Sequence, residues 1–119
     1  MAYVDGFVVT IPKKYLPEYR RISTAAGKVW REHGALQYVE AAAEDMKAQG
    51  MTPFTKAVSA KRGEIVIFAW IVFKSRAQRD RVNKKVMADK RLEAMMQPGA
   101  MPFDVSRMVY GGFEVIVDA

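Results

Sequence analysis

The chain has 119 residues, enough for one domain with one buried core, and at 50% hydrophobic and 27% charged residues it is not a disordered polymer. It has no cysteine, which excludes disulfides, thiolate catalysis and cysteine-ligated metals, and its net charge of +6 permits attraction to nucleic acid or anionic lipid without requiring it. No apolar run approaches the roughly 18–20 residues of a membrane-spanning helix, and the opening MAYVDGFVV lacks the basic start and cleavage site of a secretory signal, so a cytoplasmic protein outside the membrane is expected.

Residues 3–11, YVDGFVVTI, are rich in β-branched and aromatic side chains and run into Pro12, which predicts a strand. From 14 to 33, Tyr15, Tyr19, Ile22, Ala26, Val29 and Trp30 recur at three- and four-residue steps, the period of one helix face. Pro17 fits the first turn of that helix and Gly34 its stop. Residues 36–44 alternate through Leu36, Tyr38 and Glu40 and are expected as a strand. After a loop with Gly50 and Pro53, residues 54–60 are expected to add a short strand, returning through Lys61-Arg62-Gly63 into EIVIFAWIVF, residues 64–73. That last run is the clearest strand in the chain. Ser75, followed three residues on by Gln78, forms a capping box that starts a helix with Val82 and Val86 facing inward. Asp89 caps a further short turn through Met96, two prolines and a glycine break the period in QPGAMPFD, and residues 107–117 make the final strand.

Strand, helix, strand, optional strand, strand, helix, strand is the order of a ferredoxin-like split βαβ domain, here a single α+β domain over residues 1–119 with an antiparallel sheet. Right-handed crossovers place the helices on one face. Yet the strands are apolar on both faces. Val4, Val8, Val39, Ala41, Val109, Phe113, Val115 and Val117 form one set, expected to lie under the helices; Tyr3, Phe7, Val9, Ile11, Leu36, Tyr38, Met108, Tyr110 and Ile116 form the other. Open to water, the second set would exceed the few hundred square ångströms of apolar patch usual for a monomer, so a second copy of the chain is its expected cover.

Three acids, Asp5, Glu40 and Glu114, interleave with Tyr3, Tyr38 and Tyr110 on that second set. The expected ligand pocket is Asp5, Tyr38, Glu40, Trp70, Arg107, Tyr110 and Glu114, with Arg107 or Arg79 pairing one of the acids. A buried, unpaired carboxyl has a raised pKa, the mark of an acid or base site; the competing reading leaves the same acids at strand ends, reaching water. His33 is the only histidine, which precludes an all-nitrogen metal site, and at a helix C-terminus it reads as a cap. Gly111-Gly112 precedes strand rather than helix, so it marks a bulge or a close approach and not a phosphate loop. The order around Tyr110 and Phe113 does not fit the RNA-stacking motif of RNA-recognition domains, and the neighbouring acids repel phosphate, which sets nucleic acid aside as a main partner. The basic residues between Lys74 and Arg91 read first as a solvated helix face.

Several stretches resemble a known family. Tyr3-Val4-Asp5-Gly6-Phe7-Val8, Gly34-Ala35-Leu36 with Val39-Glu40, Ser75-Arg76 with Arg79-Asp80, Asn83 with Lys85-Val86-Met87 and Asp89, Met101-Pro102-Phe103-Asp104, and Arg107-Met108 through Tyr110-Gly111-Gly112-Phe113 are similar to the YbaA-like bacterial proteins, domain-of-unknown-function family 1428. The chain departs from that pattern at Ala41, where relatives carry cysteine, and at Lys74, where proline is usual. The resemblance implies a homodimeric α+β barrel in which two ferredoxin-like protomers set sheet against sheet, and it brings no established reaction. The resulting expectation is an uncharacterised homodimer that binds a small organic molecule in its interior without cofactor or metal, catalysis of an acid or base reaction being left open. The alternative is a non-enzymatic interaction module whose basic helix docks an acidic partner or nucleic acid.

Overall fold

A computed structural model describes all 119 residues. The chain folds as β1 (Tyr3–Pro12), α1 (Leu16–Glu32, entered through a 3-10 turn at Lys13–Tyr15), β2 (Gln37–Ala42), α2 (Phe54–Ala57), β3 (Glu64–Phe73), α3 (Arg76–Met87), α4 (Lys90–Met95) and β4 (Val109–Glu114). The four strands form one antiparallel sheet in the order β2-β3-β1-β4. The local signals act as expected: Pro17 stands at the start of α1, the Ser75 hydroxyl accepts the Gln78 N–H at 3.1 Å, and Asp89 caps α4 through the Arg91 N–H.

Residues 54–60 do not add a strand. Pro53, extended and without an N–H, starts the single turn of α2, and from that turn the Phe54 ring reaches the edge of Phe68, 5.8 Å between centroids. The last strand is also shorter than expected: it ends at Glu114, and it starts only at Val109 because Asp104 accepts from the N–H and hydroxyl of Ser106 and turns residues 105–107 into a 3-10 helix.

The register settles which face lies under the helices. Tyr3, Asp5, Phe7, Val9 and Ile11 of β1 stand opposite Phe73, Ile71, Ala69, Ile67 and Ile65 of β3, and Tyr38 stands opposite Ile71. Ile71 and Phe73 pack with Ala26 and Val29 of α1, Val82 and Val86 of α3 and Leu92 of α4, while Val9, Ile11 and Ile67 pack with Tyr19. The grouping of strand residues by alternation therefore holds, but the two sides are exchanged. The tyrosine-bearing set lies under the helices, and Val4, Val8, Val39, Ala41, Val109 and Phe113 form the uncovered face with Phe68, Trp70 and Val72. β3 is apolar on both faces and exerts no preference, whereas on the helix-covered side Asp5 meets Arg79 and Glu40 meets Tyr19 and Tyr38. No helix of the chain is long and apolar enough to cross a membrane.

Candidate functional site: a tyrosine-lined carboxylate beside α1

Glu40 projects from edge strand β2 toward α1. Its Oε1 accepts the Tyr19 hydroxyl from α1 and its Oε2 accepts the Tyr38 hydroxyl at 2.7 Å. Burial first, and then the Glu40 carboxylate, push both phenols above the ordinary tyrosine range, so they stay protonated and act as donors. A glycine in the middle of a helix costs about 0.5–1 kcal/mol relative to alanine. Gly27 is required here because the Tyr38 ring occupies the space its Cβ would take: a Cβ would lie 2.7 Å from the ring. Trp30 also packs on the ring, 5.8 Å between centroids, held by its indole N–H to Asn83 Oδ1.

These groups floor an open cleft of about 540 Å3 between α1 and β2, a volume within the range of small-molecule sites. Arg20, Thr24 and Lys28 line it from one stripe of α1, and Ser23, Gly27 and Arg31 from the neighbouring stripe, spacings that bring side chains together on a helix surface. Tyr38 is its one hydrophobic lining residue. Arg31 is tethered to the carbonyls of Ala35 and Leu36, and Glu32 at the rim is engaged by Arg91 at 2.7 Å.

A second polar cluster lies across the sheet. Asp5 is 2% exposed, and its Oδ1 stands 3.4 Å from Nε of Arg79, which reaches down from α3. Neither atom has a hydrogen-bond partner, so the contact is ionic. Arg79 also donates to the Tyr3 hydroxyl at 2.9 Å and lies over the Tyr3 ring. Burial pulls the Arg79 pKa down, but the Tyr3 hydroxyl and Asp5 outweigh it and leave the pKa above its ordinary range. Burial and the Asp5 carboxylate likewise raise the Tyr110 phenol, whose ring stacks on Phe7. Gly112 gives this cluster room, since a Cβ there would sit 2.4 Å from the Tyr3 hydroxyl and 2.7 Å from Arg79 Nη2. The ladder through Gly111 and Gly112 has no bulge, so the close approach is made by side chains.

The seven residues expected to line one pocket are thus divided among several places. Tyr38 and Glu40 meet in the α1 cleft; Asp5 joins Arg79 under α3, with the half-exposed Tyr110 beside them on β4. Glu114 is exposed at the end of β4. Trp70 points to the uncovered face, its indole N–H donating to Gln37 Oε1 at 3.2 Å. Arg107 clamps Glu64 with two bonds of 2.7 and 2.9 Å, lowering the Glu64 pKa to about 2 chiefly through those bonds, and braces the Ser59 carbonyl. His33 closes the C-terminus of α1 as expected, and its ring also pairs with Asp89, the cap of α4, at 2.8 Å. No three histidine or carboxylate side chains converge to hold a metal ion. Sequence reasoning placed Tyr19 in the core without its second role and passed over Arg20, Gly27 and Lys28. A glycine within a strong helical period and the basic stripe at Arg20 and Lys28 are the signals that point to them.

Known proteins bear on this arrangement. The family model described as "Protein of unknown function (DUF1428)" matches residues 2–105. The chain is 43% identical over 118 residues to the uncharacterized protein YbaA of Escherichia coli strain K12, covering 99% of each, and equally to that of Shigella flexneri. Among solved structures it is similar to an uncharacterized NIPSNAP domain protein from Burkholderia xenovorans, with a TM-score of 0.57 at 12% identity, covering 95% of this chain and 93% of the other. It is also similar to a NIPSNAP family protein of unknown function from Agrobacterium tumefaciens, with a TM-score of 0.55 at 15% identity, covering 94% and 86%. Those two likenesses concern the α+β fold alone. On the family match and the relationship to YbaA, the chain belongs to the DUF1428 family of proteins of unknown function.

Proposed function

We propose that the protein is a homodimer of ferredoxin-like protomers, closed sheet to sheet as an α+β barrel, and that each protomer binds a small organic molecule in the cleft between α1 and β2. The observation that carries the ligand site is Glu40, a carboxylate with a phenol on each oxygen at the floor of a cleft of about 540 Å3. Support for the dimer comes from the face opposite α1, α3 and α4, where Phe68, Val109 and Phe113 are 45%, 54% and 62% exposed beside Trp70 and Val72, an apolar sheet surface that the chain covers only at the Phe68 end, through Phe54 of α2. Beyond β4, Ile116 and Val117 add further exposed apolar surface.

The tests are separate. Light scattering on dilute protein should return twice the mass of one chain, and Phe113→Glu should return it to one; a monomeric wild type overturns the dimer. Thermal melts against a library of metabolites should find compounds that stabilise the wild type and not Glu40→Gln. A library without a single stabilising compound, together with protein that purifies free of bound organic mass, overturns the ligand site.

A second reading draws on α3, where Arg76, Arg81, Lys84 and Lys85 are exposed and enter no ion pair. It would make this helix a dock for an acidic partner, with binding that falls steeply as salt rises.

A further inference from the structure

The cleft beside α1 sets two kinds of polar group against one another. On the helix side stand Arg20 and Lys28, eight residues and about 12 Å of helix rise apart, neither engaged in an ion pair. The other charged groups of the lining are committed, Arg31 to backbone carbonyls and Glu32 to Arg91. On the sheet side stands Glu40. Each of its oxygens accepts one phenol, and a carboxylate offers about four acceptor sites, so it retains capacity for further donors. Its phenolic partners supply no positive charge, and its remaining lone pairs can accept from further O–H and N–H groups.

This pairing selects a ligand by exclusion. An apolar molecule would touch the Tyr38 ring and the aliphatic stems of the basic side chains, but would leave Arg20, Lys28 and Glu40 without a polar partner. A cation would meet two uncommitted positive charges. A bare inorganic anion would suit Arg20 and Lys28 but would leave the carboxylate facing it unsatisfied and repelling it, in a space of about 540 Å3 that it would hardly fill. A neutral polyol would satisfy Glu40 and leave both cations without a counter-charge. Resting on the ligand site proposed above, we infer that the cleft takes a small polyhydroxylated organic anion. Its carboxylate or phosphate end lies between Arg20 and Lys28, and its hydroxyls donate to Glu40.

The experiment is isothermal titration of the full-length protein with glucose 6-phosphate and with gluconate, which distinguish a phosphate from a carboxylate head, against glucose and inorganic phosphate as the two halves of the ligand. At least one of the two hydroxylated anions should bind, and tenfold or more tighter than either half. Its affinity should fall at raised salt, and fall at least tenfold in Arg20→Gln/Lys28→Gln, whose exposed positions leave the fold intact by circular dichroism. Equal binding of inorganic phosphate, equal binding of glucose, no binding by either anion, or binding unchanged in the double variant overturns the inference. Should the metabolite library instead yield a neutral or apolar compound whose stabilisation is lost in Glu40→Gln, the cleft stands as a ligand site and only this assignment of ligand class falls.

Discussion

Asp5 and Glu40 project from the same face of one sheet, separated by β3, the first buried and the second partly buried, and their surroundings differ in kind. Asp5 is covered by α3 and faces a guanidinium, with Asp80 a second carboxylate for the same arginine. Glu40 is covered on one side by α1, faces two neutral phenols, and opens on the other side to a cleft. The first arrangement cancels its charge internally and joins α3 to β1. In the second the charge is hydrogen-bonded without being cancelled, and it stays available to a ligand. Two acids indistinguishable in the strand pattern thus divide into a fastening and a site, according to whether the nearest donor is a cation or a phenol.

The largest expected effect comes from breaking the ionic member. Asp5→Ala leaves Arg79 beneath α3 without its buried counter-charge, and removing one partner of a buried pair should cost about 3 kcal/mol in urea denaturation. A loss below about 1 kcal/mol, typical of a surface pair, would show that Asp80 and water replace Asp5 and would erase the contrast.

A smaller loss should follow Gly27→Ala. Helix propensity gains about 1 kcal/mol, but the new Cβ meets the Tyr38 ring, and overpacking of that kind costs about 1–3 kcal/mol. The net change should be a modest destabilisation, with any ligand of the cleft lost as Tyr38 leaves Glu40. A net gain in stability would mean that the ring yields freely and does not order the site.

The smallest effect at neutral pH concerns the phenols. An unfolded chain ionises tyrosine near pH 10, whereas Tyr19 and Tyr38 are raised in the folded chain. Their contribution is therefore complete below about pH 10 and falls as the pH rises past it, because the unfolded state then loses protons that the folded state keeps. Denaturation midpoints from pH 7 to 11 should drop above pH 10, and Tyr38→Phe should flatten that drop while costing only about 1 kcal/mol at pH 7. An identical alkaline limb in the variant would show that Tyr38 does not carry the raised pKa.

Much of this fold is legible in the residues because its signals are local. The uninterrupted apolar run of β3, the Ser75 cap with Gln78, and the helix period from Tyr19 to Trp30 each report on a few neighbouring positions. Residues 54–60 misled because a short apolar stretch fits strand and helix alike, and Phe68, fourteen residues beyond Phe54, is what Phe54 packs against. The candidate pocket was only half legible for a similar reason. Tyr38 and Glu40 share a strand and a face, but their third member, Tyr19, lies on α1 within what looks like an ordinary core stripe. Arg107 and Trp70 lay outside because the first is bonded to Glu64 at the far end of β3 and the second alternates onto the opposite face.

What the residues determined by themselves was most of the elements, residues 54–60 apart, their order, and the division of each strand into two alternating rows, since propensity, capping and period act over a few residues. Which row turns inward was decided only when the chain closed. Two nearly equal apolar rows carry no sign of their own, and the row that turned inward is the one whose acids find long-range partners, Arg79 for Asp5 and Tyr19 for Glu40, a meeting that depends on where α3 and α1 cross the sheet.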